Sequence, residues 1–132
     1  MKTNFERNRQ LNARYGGGAY PAKPATVYVA LFTAAPTVAG GGTEVAGGDY
    51  ARAAVTNDAT NFPDAVAGVK SNAVAIVFPA ASALWGTVVA MAIFDAVSGG
   101  NMLDFQVLTT PRTVNAGDAF SFAIGQLQLT ET

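Results

Sequence analysis

From Thr26 onward the chain alternates short runs rich in Val, Ile, Phe, Tyr and Thr with clusters of glycine. The runs are Thr26–Thr33, Tyr50–Thr56, Ala73–Phe78, Gly86–Asp95, Met102–Thr109 and Ala119–Thr130. Between them stand Gly40-Gly41-Gly42, Gly47-Gly48, Asn61–Gly68, Ser98-Gly99-Gly100 and Asn115-Ala116-Gly117-Asp118. Glycine supplies the backbone freedom that tight turns need, and β-branched and aromatic residues suit a pleated, half-buried surface. Strands at this spacing predict an all-β fold: a single-domain antiparallel β-sandwich of jelly-roll type over residues 24–132. At 132 residues the chain is long enough for one core without staples, and it has no cysteine with which to make them.

Two of the runs say more. In Thr26–Thr33, Val27, Val29 and Leu31 point one way while Tyr28, Ala30 and Phe32 point the other. Both faces are apolar, as expected of a central strand or a subunit contact. In Ala119–Thr130, Phe120, Phe122 and Ile124 keep one phase and Leu127 and Leu129 the other, which predicts a bulge near Gly125-Gln126. The uncharged stretch Ala73–Phe94 is long enough to span a bilayer, but Pro79 and Gly86 divide it and no Lys or Arg cluster flanks it. Two buried strands explain it better, and no membrane partner is expected. A faint echo between ALFTAA–VAGGDYARAAV and AIFDAV–SGGNMLDFQVL reads as two similar hairpins rather than a repeat.

The leading residues differ in kind. Thr3-Asn4-Phe5-Glu6 fits a capping box, so a helix is expected from Asn4 to about Arg14, stopped by Gly16-Gly17-Gly18. A helix this short is marginal alone and needs a surface to dock on. No apolar signal-type segment precedes it. Residues 1–23 carry five cations against Glu6, a local net of +4, while the remainder carries three cations against eight carboxylates, a net of −5. A basic arm on an acidic body suits docking on an acidic partner or on another copy, and a solvated helix face is the plainer alternative. The candidate docking residues are Lys2, Phe5, Arg7, Arg9, Leu11, Arg14 and Tyr15, and the candidate oligomer contacts are Tyr28, Phe32 and Trp85.

Composition narrows the chemistry. Only 13% of residues are charged, and alanine and glycine number 26 and 14. So little charge keeps a surface poorly separated from its neighbours, which suits a protein packed against other subunits. The absence of histidine and cysteine removes the usual general base, the commonest metal ligands and the thiol nucleophile. Gly40-Gly41-Gly42-Thr43 lacks the lysine and following helix of a phosphate loop. Asp95, Asp104 and Asp118 are the best candidates for a glycosidase-like acid pair, but each falls at a strand end or turn where a solvated Asp is ordinary. Asp49, Asp58 and Asp64 lack the spacing of a calcium loop, and nothing in the spacing pairs a serine with Lys2, Lys23 or Lys70. The acidic body lacks the basic and aromatic interleaving of single-strand binders. The expectation is a non-enzyme without cofactor, metal or nucleic acid.

The order of several segments resembles a family of short tailed-bacteriophage structural proteins labelled tail fibre proteins. Pro24–Thr33, Ala35-Pro36-Thr37, Gly40–Val45 and Gly47–Arg52 carry the resemblance, followed by Phe78-Pro79, Ala83–Val88, Ile93–Ala96 and Ser98–Asn101. Leu108–Thr110, Val114–Asp118, Phe120–Gly125 and the opening Thr3–Asn8 complete it. The resemblance implies a virion component on the particle exterior, without catalysis, with other phage structural proteins and itself as partners. Where that family's first helix is more apolar, this one has Arg7, Asn8, Arg9 and Gln10, which favours docking on a partner over packing on its own domain. A chain this short is not expected to be a whole fibre. It suits a tail-fibre-type β domain assembled through its arm, with a capsid decoration protein, or a host-receptor module reading through loops Val38–Asp49 and Asn57–Lys70, as alternatives. Analogy with threefold fibres and decorations gives a trimer.

Overall fold

The structure, a computed structural model, describes residues 1–19 and 22–130. In chain order its elements are α1 (Asn4–Arg14), β1 (Thr26–Ala34), β2 (Thr43–Glu44), β3 (Ala53–Thr56), β4 (Val69–Ser71) and β5 (Ile76–Val77). They continue with β6 (Gly86–Phe94), β7 (Met102–Val114), β8 (Ser121–Phe122) and β9 (Gln128–Thr130). The main sheet runs β2-β1-β6-β7, and β3 pairs with the first half of the β1 edge whose second half takes β2. Two short ladders, β4 with β9 and β5 with β8, form the facing layer. Every pairing is antiparallel, and the whole is sandwich-like.

The two apolar faces of β1 make it a central strand. Val27, Val29 and Leu31 enter the main core with Met91 and Ile93 of β6 and with Ile76, Phe78, Phe120, Phe122 and Leu127 from the facing layer. Phe78, Phe120 and Phe122 meet edge to face, with centroids 5.3–6.2 Å apart. Ala30 and Phe32 form a second cluster on the other face with Ala90, Ala92, Phe94 and Phe105. Here the alanines have a reason. Ala30 lies opposite Ala92 and Phe32 opposite Ala90, which leaves room for the Phe32 and Phe94 rings to stack 6.3 Å apart.

Two expectations need correction. The last run is not one bulged strand. Gly125 takes a φ of 80°, Gln126 N–H donates to the Ala123 carbonyl and the Gln126 side chain accepts from Ala123 N–H. That turn divides the run into β8 and β9, which pair with different strands, and Ile124 points into solvent at 68% exposure. Second, β7 continues past Thr109 to Val114. Its register on β6 jumps from Val107 opposite Ala90 to Arg112 opposite Val88, so Leu108–Pro111 bulge out where Pro111 breaks no ladder bond. Ala73–Phe94 divides into two strands as expected, β5 and β6 with their connection, and among the described residues no helix is long and apolar enough to cross a membrane.

Candidate functional site

The arm is built onto the body before it turns outward. Residues 1–3 run antiparallel to the free edge of β7: the Met1 ammonium donates to the Phe105 carbonyl at 2.6 Å, Phe105 N–H returns a bond to Met1, and Lys2 pairs with Asp104. Thr3 is the N-cap of α1. Its hydroxyl donates to the Met102 carbonyl at 2.6 Å and accepts from Glu6 N–H at 3.4 Å. The reciprocal half of the expected capping box is missing, because Thr3 N–H is already taken by the Leu103 carbonyl. The Glu6 carboxylate turns instead to Arg9 at 2.7 Å and Gln10 at 3.0 Å. α1 ends where predicted, with Tyr15 N–H on the Leu11 carbonyl and Gly18 N–H on that of Asn12.

The helix therefore packs on its own domain as well as presenting a free side, and it does so with an unusual polarity. Its inward residue is Glu6, while Phe5, Leu11 and Tyr15 are 42%, 57% and 67% exposed. At helical spacing Leu11 falls between Arg7 and Arg14 on one stripe, with Tyr15 beside it. Lys2 reaches Gln10 at 2.6 Å, and Arg9 is tied to Glu6 and lies 5.5 Å from the Phe5 ring. Alongside the helix a cleft of about 640 Å³, which Arg14 borders from the outer stripe, carries Arg9, Lys23 and Lys70 on the same walls as Asp58, Asp64 and Asp104, a mixture that selects neither sign of ligand.

The three aromatic contact candidates separate. Phe32 and Trp85 are 3% and 5% exposed, so their surface is already covered within the chain. Trp85 donates its indole N–H to the Gly48 carbonyl at 2.8 Å and meets the Tyr50 ring edge on at 5.4 Å. A Cβ on Gly48 would lie 2.9 Å from that indole, so only glycine fits. Tyr28 alone of the three keeps accessible surface. The candidate acids are not paired with one another: Asp95 accepts from the backbone and side chain of Asn101 at the β6–β7 turn, and Asp118 accepts from Asn115 N–H. Burial pushes the Asp95 carboxyl up, but the Asn101 bonds outweigh it and hold it below the ordinary value.

Sequence reasoning missed the best-built polar cluster. Arg52 grips Glu44 with two bonds of 2.9 and 2.8 Å, donates to the carbonyls of Ala96 and Gly99, and lies 3.7 Å above the Phe94 ring. Tyr50 donates its hydroxyl to Glu44 at 2.7 Å and accepts from Leu31 N–H at 3.0 Å. Burial favours the protonated Glu44, yet the Arg52 and Tyr50 bonds prevail and lower its pKa; burial and the Glu44 bond raise that of Tyr50. The signal was present: in a chain with so few charges, Glu44 and Arg52 stand on either side of Gly47-Gly48. The cluster joins β2, the sheet and the β6–β7 turn, and its donors are directed at the protein itself.

Comparison with known sequences bears on the whole unit, arm and sandwich together. The family described as podophage GP4 fiber I protein gp80 matches residues 2–130. The chain belongs to this family. No curated protein matches it. Fibre I proteins are structural components of a phage fibre, on the exterior of the particle, in association with other phage structural proteins. The match begins at Lys2, so the strand-like residues 2–3, α1 and the clamp around Arg52 all lie inside the fibre I unit.

Proposed function

We propose that this fibre I protein is a non-enzymatic assembly module, held in the fibre apparatus through residues 1–23 and present there as a homo-oligomer. The observation that supports this is the orientation of α1, which buries Glu6 and turns Leu11 and Tyr15 outward. A surface helix of an isolated protein does the reverse. Contact with a neighbouring particle protein removes that apolar surface from water at about 25 cal/mol per Å². Arg7 and Arg14 beside it supply orientation and association rate more than affinity. Family membership favours the fibre over capsid decoration, and threefold symmetry is the arrangement suggested by analogy with fibres. The test is Leu11→Glu combined with Tyr15→Glu, both exposed positions that leave the core intact. The variant should fold as the parent does by near-ultraviolet circular dichroism. Its copy number on purified particles should fall about tenfold or more, the loss expected from burying two unpaired carboxylates in the contact. Unchanged incorporation overturns the reading.

A further inference from the structure

We infer that the surface receiving α1 is on a second copy of this chain, at the opposite end of the sandwich, so that copies associate head to tail. This rests on the arm's being an assembly element and names what it meets. α1 sits at the end of the sheet where Phe94, Met102 and Tyr28 come together, because residues 1–3 are bonded to Met102–Phe105. The strands run from there to the end marked by Gly86, Val114 and Thr33. At that far end three loops are tied to one another. Ser82 N–H donates to Gly48, Ala81 N–H to Asp118, and Gly117 N–H back to Ala81. The indole of Trp85 fixes the Gly48 loop from beneath.

This second surface is the chemical complement of the first. Leu84 is 62% exposed in the loop that is bonded to those of Asp49 and Asp118, which are also exposed. Among the described residues neither carboxylate has an ion-pair partner, and neither has Arg7 or Arg14. Arg112, opposite Val88 near this end, lies 4.4 Å over the Phe120 ring. Leu11 on one stripe with two arginines, and Leu84 among bonded loops that carry two aspartates, thus offer apolar surface accompanied by charge of opposite sign, the anatomy of a specific contact. Both surfaces are pre-organised, one by a capped helix and the other by cross-bonded loops, so little ordering entropy opposes their meeting. Because they lie at opposite ends of one molecule, the contact is heterologous. It continues as a filament or closes as a ring, of which a trimer is one form.

The experiment is sedimentation of the full chain at ionic strengths of about 50 and 500 mM, across which surface ion pairs are progressively screened. The mass of the parent should rise with concentration at low salt and less so at high salt. Arg7→Glu with Arg14→Glu should weaken association about tenfold or more, as should Asp49→Asn with Leu84→Lys. Asparagine is chosen at position 49 because it tolerates the φ of 61° found there. Mixing the two variants should restore association, since each supplies the sign the other has lost. Recovery of mass in the mixture alone supports the inference even if one variant is somewhat less stable. A parent that stays monomeric, or variants that associate as the parent does, overturns it. If the parent is monomeric while Leu11→Glu with Tyr15→Glu is still lost from particles, the arm docks on a different protein: the assembly reading stands and this one falls.

Discussion

Arg52 has four bonds from its guanidinium, which has five N–H donors in all, and its flat face covers Phe94. Lysine has neither the fork nor the plane, so Arg52→Lys leaves Glu44 half-satisfied and two carbonyls without donors. A loss of about 2 kcal/mol is expected, read from the midpoint of urea unfolding at unchanged slope. The same cluster sets an acid limit. Because the folded Glu44 is held below its ordinary value of 4.5, its contribution is present above that pH and is lost as pH falls through the folded value. The Asp95 contribution follows the same sign. The melting temperature should therefore hold from about pH 6 to the ordinary carboxylate range and decline below it. The decline should be shallower in Glu44→Gln. An equally steep acid limb in that variant would place the linkage elsewhere. Asn72 is a further polar residue on which the fold depends, 1% exposed, donating to Val74 and Ala123 and accepting from Leu127 N–H. Asn72→Ala strands all three groups and should cost about 3 kcal/mol in the same measurement.

At the scale of elements, the turn between Val66 and Val69 carries a local conflict. Val66 and Val69 exchange both backbone bonds, and the residues between them, Ala67 and Gly68, have φ of 52° and 78°. A two-residue turn of this kind favours Asn-Gly, and alanine in the left-handed region costs about 1 kcal/mol. Ala67→Asn should raise stability by about that amount in urea unfolding, and no change would mean that the turn relaxes in solution. Much of this level was legible in the sequence. Thr26–Thr33 announced a strand with two dry faces, and Thr3 with Gly16-Gly17-Gly18 bounded the helix to the residue. What could not be read was long-range. The division of Ala119–Thr130 depends on Asn72, some fifty residues earlier, bonding across to Ala123 and Leu127. The broken capping box likewise depends on the Leu103 carbonyl reaching Thr3 first. Local pattern has no access to either partner, and the outward turn of Leu11 is hidden for the same reason.

At the scale of the molecule, two associations are expected to compete, and salt should separate them. Residues 1–3 cover the edge of β7 at Leu103–Phe105, while none of the main core comes from the arm. A chain lacking residues 1–14 should therefore keep a cooperative sandwich, with the edge of β7 left unpaired. An uncovered edge is a template for another strand. Against this, removing four cations and one carboxylate moves the net charge from −1 to −4, and like charges resist contact. Which effect prevails depends on range. Repulsion between whole molecules is screened beyond about 8 Å at physiological ionic strength, whereas strand pairing acts at about 4.8 Å and is not. The truncated chain should stay dispersed in low salt and associate as salt is raised, by light scattering. On the head-to-tail reading proposed above, the full-length chain should do the opposite. If both respond to salt in the same direction, then edge pairing and arm docking are not the separate interactions that this fold distinguishes; if the truncated chain fails to unfold cooperatively, the arm belongs to the core.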